Sequence, residues 1–348
     1  MLVIEKSKAL ALKLNNPQRV LATMPTAKLW HKNGTDYVVT PHRVKEVGKL
    51  RELGIKAPSP ILHYYDWPGQ FTPYEHQSMT SAFLTMNTRA LVLNEIGTGK
   101  TQSALWAADY LMSVGAIKKV LILSPLSTLE RVWGDGIFTG LIHRKHVVLH
   151  GTAARRKKLL NTEADFYIIN HDGFNIIRDE TIGMFDLVII DEAAVLRNPS
   201  TSRFKIFRKW MKQHEDIRLW LMTGTPTPND PTDAWALATL VGNQNVSKTY
   251  TGFREQVMMK IGQYKYVPRQ ESMEIVKHTL QPAVRYTRDE CFDLPDTVRQ
   301  TRAVPLTPEQ AKHYQTMMRH LVTEAAVEGT ITAVNEAVKL QKLVQIAC

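Results

Sequence analysis

Cysteine is almost absent from this chain: only Cys291 and Cys348 occur in 348 residues. So sparse a supply excludes a disulfide framework and fits a reducing compartment, so the protein is expected in the cytoplasm. Long apolar runs are missing too. None approaches the ~18–20 residues that a membrane-spanning helix needs, so no membrane partner is expected. Glu5, Lys6 and Lys8 interrupt the stretch where a secretory signal would carry its apolar segment. Acids are in the minority, with 33 Asp and Glu against 44 Lys and Arg and a net charge of +11. That balance favours a polyanion as partner. Clustered metal ligands are also lacking. His143, His146 and His150 have a suggestive spacing, but no Cys or acid stands with them in that stretch. No metal site is expected there.

What the chain does contain is a loop built for phosphate. An apolar run ends at Leu93, and Asn94, Glu95, Ile96, Gly97, Thr98, Gly99, Lys100 and Thr101 follow. Beyond Thr101 the apolar spacing turns from strand-like to helical, with Ala104, Leu105, Ala107 and Ala108. Gly97 and Gly99 allow backbone N–H groups to turn inward around phosphate oxygens. The following helix adds its positive dipole end. Lys100 can reach the β- and γ-phosphates of a nucleotide, and the Thr101 hydroxyl can ligate Mg²⁺. The strict pattern opens with Gly, and here Asn94 holds that position.

Two further strand ends carry chemistry. The run Phe185–Ile190 ends in Asp191 and Glu192. Acids at the end of a buried strand are costly unless a charge meets them. Asp191 is therefore assigned to Mg²⁺ and Glu192 to the attacking water. The run Leu219–Met222 ends in Thr223, Gly224 and Thr225, small residues able to sense the γ-phosphate. Upstream, Gln77 opens a helix just before the phosphate loop. Its amide can donate to and accept from one edge of adenine.

Between these points, nearly all-apolar strands at Lys119–Ser124, His146–His150, Phe166–Asn170 and Leu187–Ile190 alternate with helices. That pattern indicates an α/β fold: a parallel sheet covered on both faces, with ligands beyond the carboxyl ends of its strands. Residues 1–65 read as a separate small α+β domain. Its strands are expected at Arg19–Trp30 and Asp36–Thr40, with a helix from Pro41 to Leu53. It is rich in Lys and Arg, as either a solvated face or an accessory nucleic-acid contact. Residues 58–68 read as a proline-broken linker. The run Arg155–Lys158 reads as a solvated helix face. Two helices, Pro308–Glu328 and Ile331–Ala347, are expected at the C-terminal end.

NEIGTGKT, ILSPLSTLERVW, IIDEAAVLRNP and LMTGTPTPND, in that order and spacing, resemble the Snf branch of helicase superfamily two. The Gln77, Arg285–Pro295 and Leu306–Gln310 segments extend the likeness, which is greatest to Snf-like helicases encoded by bacteriophages. For such a protein the compartment is the bacterial host cell. The resemblance covers roughly residues 66–348. It implies a P-loop NTPase lobe of RecA-like fold over 66–298, and a helical segment over 299–348 that starts a second lobe absent from this chain. It implies ATP and Mg²⁺ as cofactors and DNA, duplex or forked, as a largely sequence-independent partner. Residue by residue, it gives adenine to Gln77, and phosphates and metal to Gly97, Thr98, Gly99, Lys100 and Thr101. It gives catalysis to Lys100, Asp191 and Glu192, coupling to Thr223, Gly224 and Thr225, and DNA contact to Ser124, Pro125, Arg197 and Asn198. The family usually has His at the fourth position of the acid motif, where this chain has Ala194. The activity implied is ATP-dependent movement on DNA. An RNA-dependent ATPase, a restriction-type motor subunit and a non-hydrolysing ATP- and DNA-binding module remain as alternatives.

Overall fold

The computed structural model describes residues 1–244, 246–263, 265–293, 300–320, 322–325, 329–332 and 336–347. The described residues up to Asp293 form one compact unit, and those from Gln300 onward belong to a second.

The first unit opens with a small antiparallel sheet of order β1-β2-β4-β3. Its strands are β1 (Leu2–Ile4), β2 (Ala9–Leu12), β3 (Lys28–Lys32) and β4 (Thr35–Pro41). Between β2 and β3 the chain forms a helix, α1 (Pro17–Thr23), where a strand was expected from Arg19. Pro17 at the first helical position presets φ and needs no N–H partner, which starts a helix well. A second helix, α2 (Val44–Glu52), follows. Leu10, Leu12, Val38, Val20, Met24, Val47 and Leu50 make a core of their own. Residues 58–68 are not a free linker. They contain α3 (Ile61–Tyr64), Ile61 is fully buried, and Trp106 Nε1 donates to Pro68 O at 2.8 Å.

The main sheet follows α4 (Glu75–Met86). Its strands are β5 (Arg89–Val92), β6 (Val120–Ser124), β7 (His146–Val148), β8 (Phe166–Asn170), β9 (Leu187–Ile190) and β10 (Arg218–Met222). A short antiparallel pair, β11 (Met258–Lys260) and β12 (Tyr266–Pro268), precedes the last strand, β13 (Ala283–Val284). The seven-stranded order is β13-β5-β10-β9-β6-β8-β7, and each pairing is parallel.

Both faces of this sheet are buried, and the alternation of side chains divides them into two layers. Ala90, Val92, Val120, Ile122, Phe166, Ile168, Leu187, Ile189, Trp220 and Met222 share one layer with α5 (Lys100–Ser113). Leu91, Leu121, Leu123, Tyr167, Ile169, Val188, Ile190, Leu219 and Leu221 share the other with the helices Ala153–Leu160 and Ser202–Gln213. Here α6 is Asp135–Gly140 and α7 is Ala153–Leu160. Asp109, on the buried side of α5, accepts from Tyr65 Oη (2.6 Å), His143 Nε2 (2.9 Å) and Arg144 Nε (2.6 Å). His143 thus has an acid partner from a distant element, one that its local sequence does not contain. Arg156 is not solvated as expected. It is 9% exposed and donates to Asn170 Oδ1 at 2.7 Å and Gly151 O at 2.9 Å.

In the second unit the helix Pro308–His320 ends earlier than expected. Strands Val322–Ala325 and Gly329–Thr332 pair antiparallel, and the helix Glu336–Ala347 follows. β-Branched residues around Gly329 favour that hairpin over a continuous helix. Met317 and Leu343 pack the two helices together. Leu294, Pro295, Arg299 and the expected 298/299 boundary lie outside the described residues.

Candidate nucleotide site

The phosphate loop leaves β5 at Leu93 and enters α5 at Lys100. Gly97 (φ 88°) and Gly99 (φ 79°) occupy the left-handed region, which a side chain disfavours. Around Gly97 there is open space, so its requirement is conformational. At Gly99 a Cβ would fall 2.2 Å from Gln77 Nε2. Gln77 therefore lies against the loop. Its Oε1 accepts from Tyr74 N at 3.1 Å and its Nε2 donates to Thr98 O at 3.4 Å. Each end of the amide retains capacity for one further partner. His76 Nε2 meets the same Thr98 O at 2.9 Å. The His76 ring stacks on Tyr74 (5.7 Å between centroids) and meets Phe292 edge-on at 5.3 Å. This aromatic wall beside Gln77 was not foreseen; Tyr74 and His76 flank the Gln in sequence, but Phe292 arrives from a distant segment.

Asn94 has a structural reason to replace glycine. It is 1% exposed, its Nδ2 donates to Thr80 Oγ1 at 3.0 Å, and its Oδ1 accepts from Tyr286 N at 3.1 Å. It ties the loop to α4 on one side and to the segment after β13 on the other. Lys100 Nζ donates to Asn94 O (2.9 Å) and Glu95 O (3.0 Å). Burial lowers the Lys100 pKa, against the pull of Glu192, Asp191 and Glu95 in the other direction. Thr101 is half-buried in the first turn of α5.

Asp191 follows β9 and is 9% exposed. Its Oδ2 accepts from Trp133 Nε1 at 3.0 Å and its Oδ1 from Glu192 N at 3.0 Å. Its carbonyl meets His171 Nε2 at 2.8 Å. Burial pushes the His171 pKa down. Trp133 is fully buried and belongs to a π-helical stretch, Leu129–Gly134, ahead of α6. Such widened turns re-aim side chains at functional sites. The supports Trp133 and His171 escaped the sequence reading. His171 directly follows a strand end, the one local sign of its position.

Glu192 is exposed and in left-handed backbone (φ 48°). Desolvation first and the Asp191 charge second raise its pKa, and Lys100 lowers it. The two acids and the loop lysine are thus within electrostatic reach of one another. Thr223 is fully buried and its N–H bonds Val92 O at 3.0 Å. Thr225 N donates to Thr223 Oγ1 at 3.2 Å. A Cβ on Gly224 would lie 3.5 Å from Asn94 O and 3.6 Å from Ile96 N, so this motif rests on the phosphate loop.

The residues assigned to DNA separate into two groups. Ser124 is fully buried, its hydroxyl beside Thr128 Oγ1 and 3.5 Å from Asp191 Oδ2. It faces the acid motif rather than an open surface. Pro125 is half-buried. Arg197 Nη1 donates to Ala194 O at 3.1 Å, and its Nε stands 3.8 Å from Asp233 Oδ2. Asn198 is exposed, and its Oδ1 accepts from Ser200 N at 3.0 Å. Ala194 is half-buried, and no imidazole comes from that position.

The residues fit a nucleoside triphosphate with its metal. Glycines open the loop, a lysine and a hydroxyl line it, and a carboxylate stands at the neighbouring strand end. Among the described residues no preformed cluster of three or more metal-ligating side chains occurs, so any metal here would lean on phosphate oxygens.

The family model of the SNF2-related domain matches residues 58–346. Protein p41 of Acyrthosiphon pisum secondary endosymbiont phage 1 is 27% identical over 306 residues, covering 80% of this chain and 64% of that protein. The ATP-dependent helicase YqhH of Bacillus subtilis is 28% identical over 185 residues, covering 50% of this chain and 31% of YqhH. The chain therefore spans less than two thirds of either relative. In fold it is similar to the Sulfolobus solfataricus SWI2/SNF2 ATPase core solved in complex with dsDNA. The TM-score is 0.53 at 20% identity, over 80% of this chain and 59% of that one.

Proposed function

The chain belongs to the SNF2-related family, and from that premise we propose that it supplies the ATP-binding lobe of a DNA-dependent ATPase that moves on duplex or forked DNA. Gln77 would hold adenine. Backbone N–H groups of Gly97 to Lys100 would hold the phosphates, with Lys100 Nζ moving from the loop carbonyls to the β- and γ-oxygens. Thr101 and Asp191 would hold Mg²⁺, which when bound screens phosphate charge. The Glu192 carboxylate would orient the attacking water and accept its proton. A raised pKa suits that role, because a more basic carboxylate is a better proton acceptor.

The observation that carries this reading is the close approach of Gly224 to the phosphate loop, where a Cβ would already be at van der Waals distance from Asn94 O and Ile96 N. It makes the strand end after β10 a direct neighbour of the phosphate loop. Thr223 and Thr225 would then register the nucleotide state, and Pro125, Arg197 and Asn198 would face DNA. A second RecA-like lobe is proposed as the partner that completes the site. The p41 and YqhH relatives, both longer than the matched region, are consistent with that.

The test is steady-state ATP turnover by the full-length protein, second lobe included, at one fixed salt concentration. The arms are no polymer, single-stranded DNA, duplex DNA, forked DNA and RNA. Stimulation by duplex or forked DNA supports the reading. Stimulation by RNA alone replaces the substrate class. Nucleotide binding without turnover in any arm overturns the hydrolytic reading.

A further inference from the structure

The N-terminal sheet has one face that its own core does not use. Leu10, Leu12 and Val38 point to the core with Val20, Met24, Val47 and Leu50. The register then assigns the other face. Trp30 pairs with Tyr37, Lys28 with Val39 and Lys32 with Thr35, so these six residues share the face opposite Val38. The turn Asn33–Gly34, with φ of 51° and 71°, is the two-residue hairpin type that fixes this register.

That face is an aromatic strip flanked by cations. β3 is the edge strand, and all five of its residues are exposed. Trp30 is 42% exposed. Its ring meets Tyr37 at 5.8 Å between centroids, and Lys32 Nζ stands 5.2 Å from its centre. Lys28 and Lys32 face Val39 and Thr35 across the pair, neither of them acidic. The nearby Asp36 is engaged with His31 at 2.7 Å on the reverse face. Exposed tryptophan on an edge strand is an aggregation hazard unless it has a use.

By register the same face carries Ala9 and Ala11 of β2, which are buried, so the exposed part is its β3–β4 edge. We propose that this edge is a stacking site for single-stranded nucleic acid, with a base on Trp30 beside Tyr37 and flanking phosphates on Lys28 and Lys32. Stacking on an aromatic ring needs no particular base, because every base has a π-face. Lysines on both sides of the ring match a backbone that runs along the strip. A protein partner fits less well, since an apolar anchor surrounded by two lysines would require desolvating both charges. A folded duplex hides its bases from a flat platform, whereas a single strand offers them. The site is separate from the nucleotide site, so it stands or falls independently of the hydrolytic reading.

The test uses the full chain, without nucleotide, and fluorescence anisotropy with labelled 15-residue oligo(dT), oligo(rU) and a duplex. Trp30→Ala should weaken binding of a single strand by about tenfold, the loss typical of one stacked base, and Trp30→Phe should retain most of it. The oligomer that responds identifies the sugar. Lys28→Ala with Lys32→Ala should reduce the slope of log K against log salt by about 1.4, at roughly 0.7 per single-strand phosphate. Binding of a fluorescent ADP analogue should be unchanged in every variant, which shows that the motor lobe is intact. Wild-type affinity in Trp30→Ala, or an equal loss on the duplex, overturns the proposal. If Trp30→Ala fails to fold, the two lysine variants decide, because both residues are exposed and neither supports the core.

Discussion

Glu192 stands in the nucleotide site between a second carboxylate and the loop lysine. Its backbone is left-handed, its neighbour is a second carboxylate, and its pKa is raised above the ordinary 4.5 by desolvation and by Asp191. Non-glycine residues in that conformation persist where a site needs them. Two outcomes follow from the sign of the shift. A base must be ionised to act, so the acid limb of turnover should lie above the ordinary glutamate range, and Glu192→Gln should lower turnover by roughly 10²–10⁴-fold. For stability, a carboxyl whose folded pKa is raised binds its proton more tightly in the native state. Its contribution is therefore lost as pH rises from 4.5 through the folded value, and at neutral pH the ionised group opposes folding. Glu192→Gln should then melt at the same temperature as wild type or higher at pH 7, with the difference vanishing below pH 4.5. Thermal melts without nucleotide check this. A clearly lower melting temperature at pH 7 would show that the charge supports the fold. Lys100→Ala should also keep the fold, since burial already disfavours its charge, while losing nucleotide affinity and turnover.

At the scale of elements, the site depends on what braces each loop. Gly99→Ala meets two obstacles, a positive φ and the Gln77 amide, and should destabilise the protein by about 1 kcal/mol or more. It should also loosen the start of α4 from the phosphate loop, which nucleotide titration would read as weaker binding. Trp133→Phe keeps a ring in the core but removes the N–H that serves Asp191 Oδ2. The Ser124 hydroxyl, 3.5 Å from that oxygen, partly replaces the lost donor, so chemical denaturation should show a loss at the lower end of the about 1–3 kcal/mol that an unsatisfied buried acceptor costs. These braces also mark where sequence reading stops. β8 and β9 were legible to the residue, because strands covered on both faces write continuous apolar runs. The positions of Lys100, Asp191, Glu192 and Gly224, beside the phosphate loop or at a neighbouring strand end, were legible because apolar strands end abruptly in charged or small residues there. Trp133 on Asp191, His171 on the Asp191 carbonyl and Asn94 on Tyr286 were not, because each joins positions far apart in the chain. Local propensity failed at Arg19–Thr23 and beyond His320, where Pro17 and the residues around Gly329 outweighed the apolar spacing.

Across the whole molecule the excess of positive charge has to be reconciled with one small anionic ligand. A net charge of +11 is far more than a nucleotide needs, and it is the excess left after each of the 33 acids is set against one of the 44 Lys and Arg. The remainder is available for a polyanion. If that polyanion is DNA, contacts go mostly to phosphates, and binding should fall steeply with salt and respond little to base sequence. Nucleotide binding should behave differently, because its charges are few. The outcome expected is a separation on one titration from about 50 to 200 mM salt: affinity for a duplex falls by orders of magnitude while affinity for an ADP analogue changes little. Shuffling the duplex sequence at fixed salt should leave its affinity nearly unchanged. A duplex affinity that ignores salt, or that depends strongly on sequence, would mean that the positive charge serves some purpose other than tracking a phosphate backbone, and the proposed movement along DNA would lose its physical basis.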